Sequence, residues 1–275
     1  LLFLVHPLVS EVVLCAGFRG DLLALLFVLA GLVWTLKAQP PEEPNIFGRT
    51  FPFIAIALFF LLGLLSKEIA VVLLPLAPLT LFMTERDWRA PLRLGVLLLV
   101  IFAAFFFVWL QFRYQDYASG FMGGGGRFLG MGNFLVSLTE VYLPTFLVPW
   151  PLRIDYNFQP VETFPDPRLL TAMVVWAALL AGAAWLSRKE PLCLIGLAWF
   201  VLAVLPVAQL TPIPDPVAER FAYVPMAGVG IFLAGIGRLL FRWKEITLPW
   251  FTGVVLCLAV GWGGFSHARA WQWRD

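Results

Sequence analysis

Eight apolar runs, at residues 21–38, 51–66, 69–84, 91–112, 168–187, 191–209, 221–241 and 246–264, leave too little polar sequence between them for one soluble core to absorb. Of the 275 residues, 61% are hydrophobic and 13% charged, against about half and about a quarter in a soluble domain. Lipid must therefore serve as solvent for much of the surface. A spanning helix needs ~20 largely apolar residues and satisfies its own backbone in hydrocarbon. The expected fold is all-α, a polytopic membrane helix bundle of about eight spans, with residues 1–5 as the tail of an earlier one. Residues 129–150 are apolar too, but Gly130, Gly132, Asn133, Glu140 and Pro144 suit an interfacial or re-entrant segment inside a long connection, 113–167. The runs at 51–66 and 69–84 are short, and the polar pair Lys67-Glu68 separates them.

Charge placement orients the bundle. Alternating the spans puts Lys37 and Arg49; Arg86, Arg89 and Arg93; Arg188 and Lys189; and Arg238, Arg242 and Lys244 in one set of short connections. The remaining basic residues are spread over longer segments, so the short, dense set is expected to be cytoplasmic. His6, Glu11, Arg19, Asp21, Lys67, Glu68, Asp155, Asp215, Glu219 and Arg220 then fall on the outer face, and any chemistry is expected there. A net charge of +2 is too small to suggest a nucleic-acid partner. Cys15, Cys193 and Cys257 lie in apolar runs without metal-ligand spacing and read as small hydrophobes.

Three polar constellations interrupt the apolar sequence. In the first, His6-Pro7 and Glu11 are followed by Arg19 and Asp21. Asp21 has the place of a helix cap, and Glu11, beside so much apolar sequence, needs a cation, for which Arg19 is the nearby candidate. In the second, Lys67 of Ser66-Lys67-Glu68 either snorkels at the interface or presents a cation to an anionic group. The third is Asp215-Pro-Val-Ala-Glu-Arg-Phe-Ala-Tyr-Val-Pro225. Glu219 and Tyr223 are i,i+4, and Arg220 and Tyr223 i,i+3, so the three can share a sector of a helix start. Arg220 opposes the helix dipole there. It answers either a carboxylate, Glu219 or Asp215, or an anionic ligand such as a phosphate, which a guanidinium fork fits. Gly123–Gly126 matches no phosphate loop, since no Gly-Lys-Ser/Thr follows, and reads as a flexible connection.

The motif HPLVSE at 6–11, SKE at 66–68, LRIDYNF at 152–158, AERFAYVP at 218–225 and ARAWQWRD at 268–275 resemble, in order, those of GT-C membrane glycosyltransferases. Among these the chain is most similar to the transmembrane, tetratricopeptide-repeat O-mannosyltransferases and their bacterial relatives. The resemblance covers essentially the whole chain and implies a partial GT-C transmembrane domain, with further spans upstream and a repeat domain downstream. It implies transfer of a mannose-like sugar from a polyprenyl- or dolichyl-phosphate carrier to a protein hydroxyl or other acceptor. The setting it implies is the bacterial inner membrane or the endoplasmic reticulum membrane, with the active face periplasmic or lumenal.

Carried over by position, Arg220 would contact the donor phosphate, with Lys67 and Arg19 as helpers. Glu219 and Tyr223 would orient that corner; His6, Glu11, Asp21, Glu68 and Asp155 would support the site. No metal ligand is assigned. The family's acidic motif, its general base, lies before the HPxxxE helix, so the base is expected upstream of residue 1. A different class fits the same cations, a transporter or flippase for an anionic lipid-linked substrate, but no convincing internal repeat is evident.

Overall fold

A computed structural model describes residues 1–38, 46–85, 88–112, 126–153, 156–210, 213, 217–242 and 248–272. The helices are, in order, α1 (Leu2–Val5), α2 (Ser10–Leu14), α3 (Arg19–Lys37), α4 (Ile46–Ser66), α5 (Leu73–Glu85), α6 (Arg89–Phe112), α7 (Gly126–Ser137), α8 (Leu143–Leu147), α9 (Pro167–Ser187), α10 (Pro191–Val204), α11 (Arg220–Arg242) and α12 (Leu248–Gln272). Among the described residues there is no strand, and the fold is the expected all-α membrane bundle. Ala16–Lys37, Arg89–Gln111, Pro167–Ser187, Arg220–Arg242 and Pro249–Trp271 are long and apolar enough to cross a membrane. Phe51–Ser66, Glu68–Thr84 and Pro191–Val207 are shorter apolar helices. The last of these is α10 followed by a single 3-10 turn, Leu205–Val207, around Pro206, because proline removes a backbone donor and disfavours the α conformation before it.

The chain forms two compact units, Arg19–Tyr114 and a second made of Leu1–Phe18 with Gln115–Asp275. In the first, α3 packs on α4 and α5 on α6. The start of α3 meets the end of α4 closely: a Cβ on Gly20 would lie 3.0 Å from the Ser66 carbonyl oxygen. Only glycine lets that approach occur without displacing backbone.

In the second unit α10 and α11 form the tightest pair. Their backbones touch through Gly196, Gly228 and Gly235, where an added Cβ would come within 2.5–2.8 Å of backbone atoms across the interface. Small residues permit such contact where lipid gives no hydrophobic drive to helix pairing. Buried Trp199 donates from Nε1 to the Val224 carbonyl at 2.9 Å, fixing the register. Beyond this contact, Glu190 caps α10 and is 0% exposed, with Arg238 Nη1 at 3.3 Å and Arg242 Nη1 at 3.0 Å. The short basic connections thus do more than signal topology, since two of their arginines anchor a buried carboxylate.

The segment expected to be interfacial or re-entrant is helical from Gly126 to Leu147, through a wide i→i+5 turn at Leu138–Tyr142. Gly126 opens it with φ +78°, a left-handed conformation that favours glycine. Asn133, one of the five residues that set this segment apart from a span, is fully buried and pairs both ways with the Val161 backbone, donating to its carbonyl at 2.9 Å. A polar side chain is at home in a core when both its groups are satisfied.

Candidate functional site

The second unit gathers most of the polar residues singled out in the sequence. The backbone extends at His6, and Pro7 starts a 3-10 turn, Pro7–Val9, that leads straight into α2 and Glu11. His6 is completely buried. Its Nδ1 accepts from the Leu8 N–H at 3.2 Å, so its Nε2 carries the proton and donates to the Phe146 carbonyl at 3.1 Å. Burial lowers its pKa, against the raising effect of that carbonyl. The ring also packs edge-on against Trp262. These contacts make His6 a neutral structural histidine.

Glu11, on α2, reaches the N-terminus of α11. Its Oε2 accepts from the Arg220 backbone N–H at 2.7 Å, and its Oε1 lies 3.4 Å from Arg220 Nη1. A carboxylate 209 positions away in sequence therefore caps the helix and offsets the misplaced cation. The cation that answers Glu11 is Arg220 rather than Arg19, because Arg220 supplies a helix-end N–H as well as a guanidinium. The guanidinium carbon lies 4.6 Å from the Phe18 ring centroid and 5.2 Å from that of Phe221.

Glu219 precedes the helix and turns elsewhere. Its Oε1 accepts from the Arg153 backbone N–H at 2.9 Å and the Tyr156 hydroxyl at 2.7 Å, and its Oε2 pairs with Arg269 Nη2 at 2.6 Å. Glu219 and Arg269 are 2% and 4% exposed. Burial pushes the Glu219 carboxyl up to about 7, against the pull of Arg269 and the hydrogen bond from Tyr156; the charge of Glu11 adds to the rise. Burial likewise raises the Tyr156 phenol, with Glu219 adding to it. Tyr142 holds the approach to α11 by donating to the Ala218 carbonyl at 2.8 Å and accepting the Ala218 N–H at 3.1 Å. Tyr223, buried, meets Phe3 with ring centroids 5.5 Å apart.

Two recesses flank this network. One, of about 240 Å³, is apolar and lined by residues that include Tyr142, Phe146, Trp176, Leu179, Leu180, Phe200 and Phe221. The other is an open polar cleft of about 530 Å³ whose walls include Tyr156, Arg153 and the pair Glu140–Arg168. Arg168 Nε donates to Glu140 at 2.7 Å.

The remaining predicted residues fall in the first unit. Asp21 is on the first turn of α3, which begins at Arg19, and accepts from Lys67 Nζ at 2.6 Å. Arg19 and Glu68 are exposed. Asp155 and Asp215 lie outside the described residues. Sequence reasoning missed Arg269, Tyr156 and Tyr142. The first two lie inside the motifs ARAWQWRD and LRIDYNF.

Together, fold and site define an all-α membrane protein with a polar network at the start of α11 beside an apolar recess. No protein-family profile matches the chain, and no solved structure matches it. Over 285 aligned residues the chain is 24% identical to the protein O-mannosyl-transferase F38B6.6 of Caenorhabditis elegans, an alignment that takes in all of this chain and 38% of that protein. The chain thus spans about two-fifths of the length of the relative it matches.

Proposed function

We propose that the chain is the membrane region of a GT-C type glycosyltransferase that moves a mannose-like sugar from a polyprenyl or dolichyl phosphate to an acceptor hydroxyl on the outer or lumenal face. One observation carries the reading. Arg220 joins the Glu11 network at the N-terminus of α11, while Phe221, the next residue, lines the apolar recess. A lipid phosphate has the same juxtaposition of anion and apolar chain. The exposed Leu179 and Leu180 rim the recess on a helix apolar enough to span, which suits entry of an isoprenoid chain from lipid.

In the transfer, the acceptor oxygen forms its bond to the anomeric carbon as the bond from that carbon to the phosphate oxygen breaks. The acceptor's proton goes to a general base and the electron pair stays on the phosphate. Arg220 stabilises the charge that develops there. The planar fork of a guanidinium matches a phosphate in geometry, which is the ground for placing the donor phosphate at Arg220. Glu11, Glu219 and Tyr156 hold its surroundings, and the polar cleft beside Tyr156 suits the acceptor. Lys67 and Arg19 belong to the other unit, and the reading rests on Arg220.

Binding of sugar-free polyprenyl phosphate to the full-length protein in nanodiscs tests this directly. Arg220→Ala is expected to weaken it at least about tenfold, the loss of one charge-assisted contact. Unchanged affinity removes Arg220 from the donor site.

A further inference from the structure

We infer that the ends of α9, α10 and α11 form a seat for the headgroup of one anionic phospholipid, at the membrane surface opposite the Arg220 corner. Arg188 and Lys189 follow α9, Glu190 caps α10, and Arg238 and Arg242 stand one turn apart at the end of α11. The inference does not rest on the glycosyltransferase reading, and none of these residues belongs to the site proposed above.

The cations are gathered rather than scattered. Buried Glu190 draws both α11 arginines to one place, with Arg238 Nη1 3.3 Å from Oε1 and Arg242 Nη1 3.0 Å from Oε2. It does not consume them. Oε2 takes no aligned hydrogen bond among the described residues, and the two arginine side chains stay 54% and 55% exposed. Both forks therefore keep donors open to the outside, in the planar geometry that suits a phosphate. Arg188 and Lys189, both exposed, are two and one positions from Glu190, which keeps their backbones within about 8 Å of it. Four cations thus stand around one carboxylate among the described residues of this corner.

Depth and surroundings select a lipid. From Arg220 to Arg242, α11 rises about 33 Å at ~1.5 Å per residue, close to the ~30 Å of the hydrocarbon layer. With Arg220 at one surface, the cluster stands level with the headgroups of the other. Trp185, exposed at the end of α9, has Lys189 Nζ 3.5 Å from its ring centroid, the pairing of aromatic and cation that marks a membrane interface. Both α9 and α11 are apolar enough to span, which gives acyl chains an apolar flank beneath the cations. A soluble anion would leave that flank unused. A zwitterionic headgroup brings its own cation, which the excess of positive charge disfavours. The same cations belong to the short basic connections expected on the cytoplasmic side, where anionic lipids attract such segments by about fivefold in affinity per charge.

In the test, detergent-solubilised full-length protein is titrated with phosphatidylglycerol, and bound lipid is counted by native mass spectrometry. One phosphatidylglycerol is expected to bind at least about tenfold more tightly than phosphatidylcholine. Arg188→Gln with Lys189→Gln removes two exposed charges and leaves both arginines beside Glu190 in place; it is expected to weaken that binding at least about tenfold. Arg242→Lys keeps a cation beside Glu190 but removes the fork, and is expected to weaken binding about tenfold, the scale of one hydrogen bond to a charged group. Arg89→Gln with Arg93→Gln takes two charges from the start of α6, in the other unit, and should leave the affinity unchanged. Equal binding of the two lipids, or full binding in either cluster variant, overturns the inference. So does an equal loss in the α6 variant, which would mean general surface attraction. Displacement of the lipid by glycerol phosphate at equal concentration also overturns it, as the mark of a seat for soluble anions. The assay needs neither sugar donor nor turnover, so its failure and the failure of the Arg220 phosphate assignment are read separately.

Discussion

Arg269→Met removes the guanidinium that sits 2.6 Å from the Glu219 carboxylate while keeping most of the side chain's apolar bulk. Stripping a buried ion of its partner costs about 3–5 kcal/mol if the charge remains. Glu219 has an alternative, because its carboxyl already stands at about 7 and can take up a proton. An opposite charge at contact is worth roughly one to three pKa units; taking two, the carboxyl of the variant would stand near ~9. At pH 5.5 it is then neutral in both proteins, and the electrostatic difference is close to zero. At pH 8.5 the wild type is largely ionised and the variant largely protonated, a difference of about 2 kcal/mol at ~1.4 kcal/mol per unit.

The sign follows from the raised folded-state value. Stability from this carboxyl is fully present below its ordinary 4.5 and, in the wild type, is lost as pH rises through about 7. In the variant the loss continues to higher pH. Thermal unfolding of the full-length protein in detergent should therefore show an Arg269→Met deficit that is about 4–8 °C larger at pH 8.5 than at pH 5.5. A deficit of the same size at both values would refute the reasoning, since Arg269 would then not govern the Glu219 proton.

Glycine-to-alanine changes should separate contact from mere helical placement. Gly196→Ala drives a Cβ to 2.5 Å from the Phe232 nitrogen and is expected to destabilise by about 1–3 kcal/mol; Gly182→Ala, with nothing within 4 Å, should be neutral or gain up to about 1 kcal/mol. Asn133→Ala orphans both backbone groups of Val161 and is expected to cost about 2–4 kcal/mol, read as a lower unfolding temperature. Lys67→Met leaves the Asp21 carboxylate without its 2.6 Å partner. With Lys67 partly solvated, the expected loss is about 1–2 kcal/mol, and Lys67→Arg should recover most of it.

The helices were legible because lipid imposes length and apolarity on each of them, and the turn residues mark their ends: Asp166 and Glu190 cap α9 and α10 just before a proline at the first helical position. Individual site residues were legible where a charge stood in greasy sequence, as at Glu11 and Arg220. Their pairing was not, because proximity along the chain favours Arg19 over a partner 209 positions distant. Arg269 carried a readable signal, an arginine within an apolar, aromatic-rich helix that demands a counter-charge. In LRIDYNF, the phenol of Tyr156 gives no signal in sequence, because a neutral hydroxyl demands no partner as a charge does; the structure brings it to Glu219. The partner of Asn133 was not legible, since sequence alone does not show that one backbone residue, Val161, would satisfy both ends of its amide.

The central claim is tested most directly by transfer of radiolabelled sugar from polyprenyl phosphate to an acceptor, using full-length protein in sealed proteoliposomes. The account predicts labelled acceptor with the wild type and at least about a hundredfold less with Arg220→Ala, as for loss of a group that stabilises charge on a leaving oxygen. Carrier that crosses the bilayer with its sugar still attached, and no labelled acceptor, would contradict it in favour of transport.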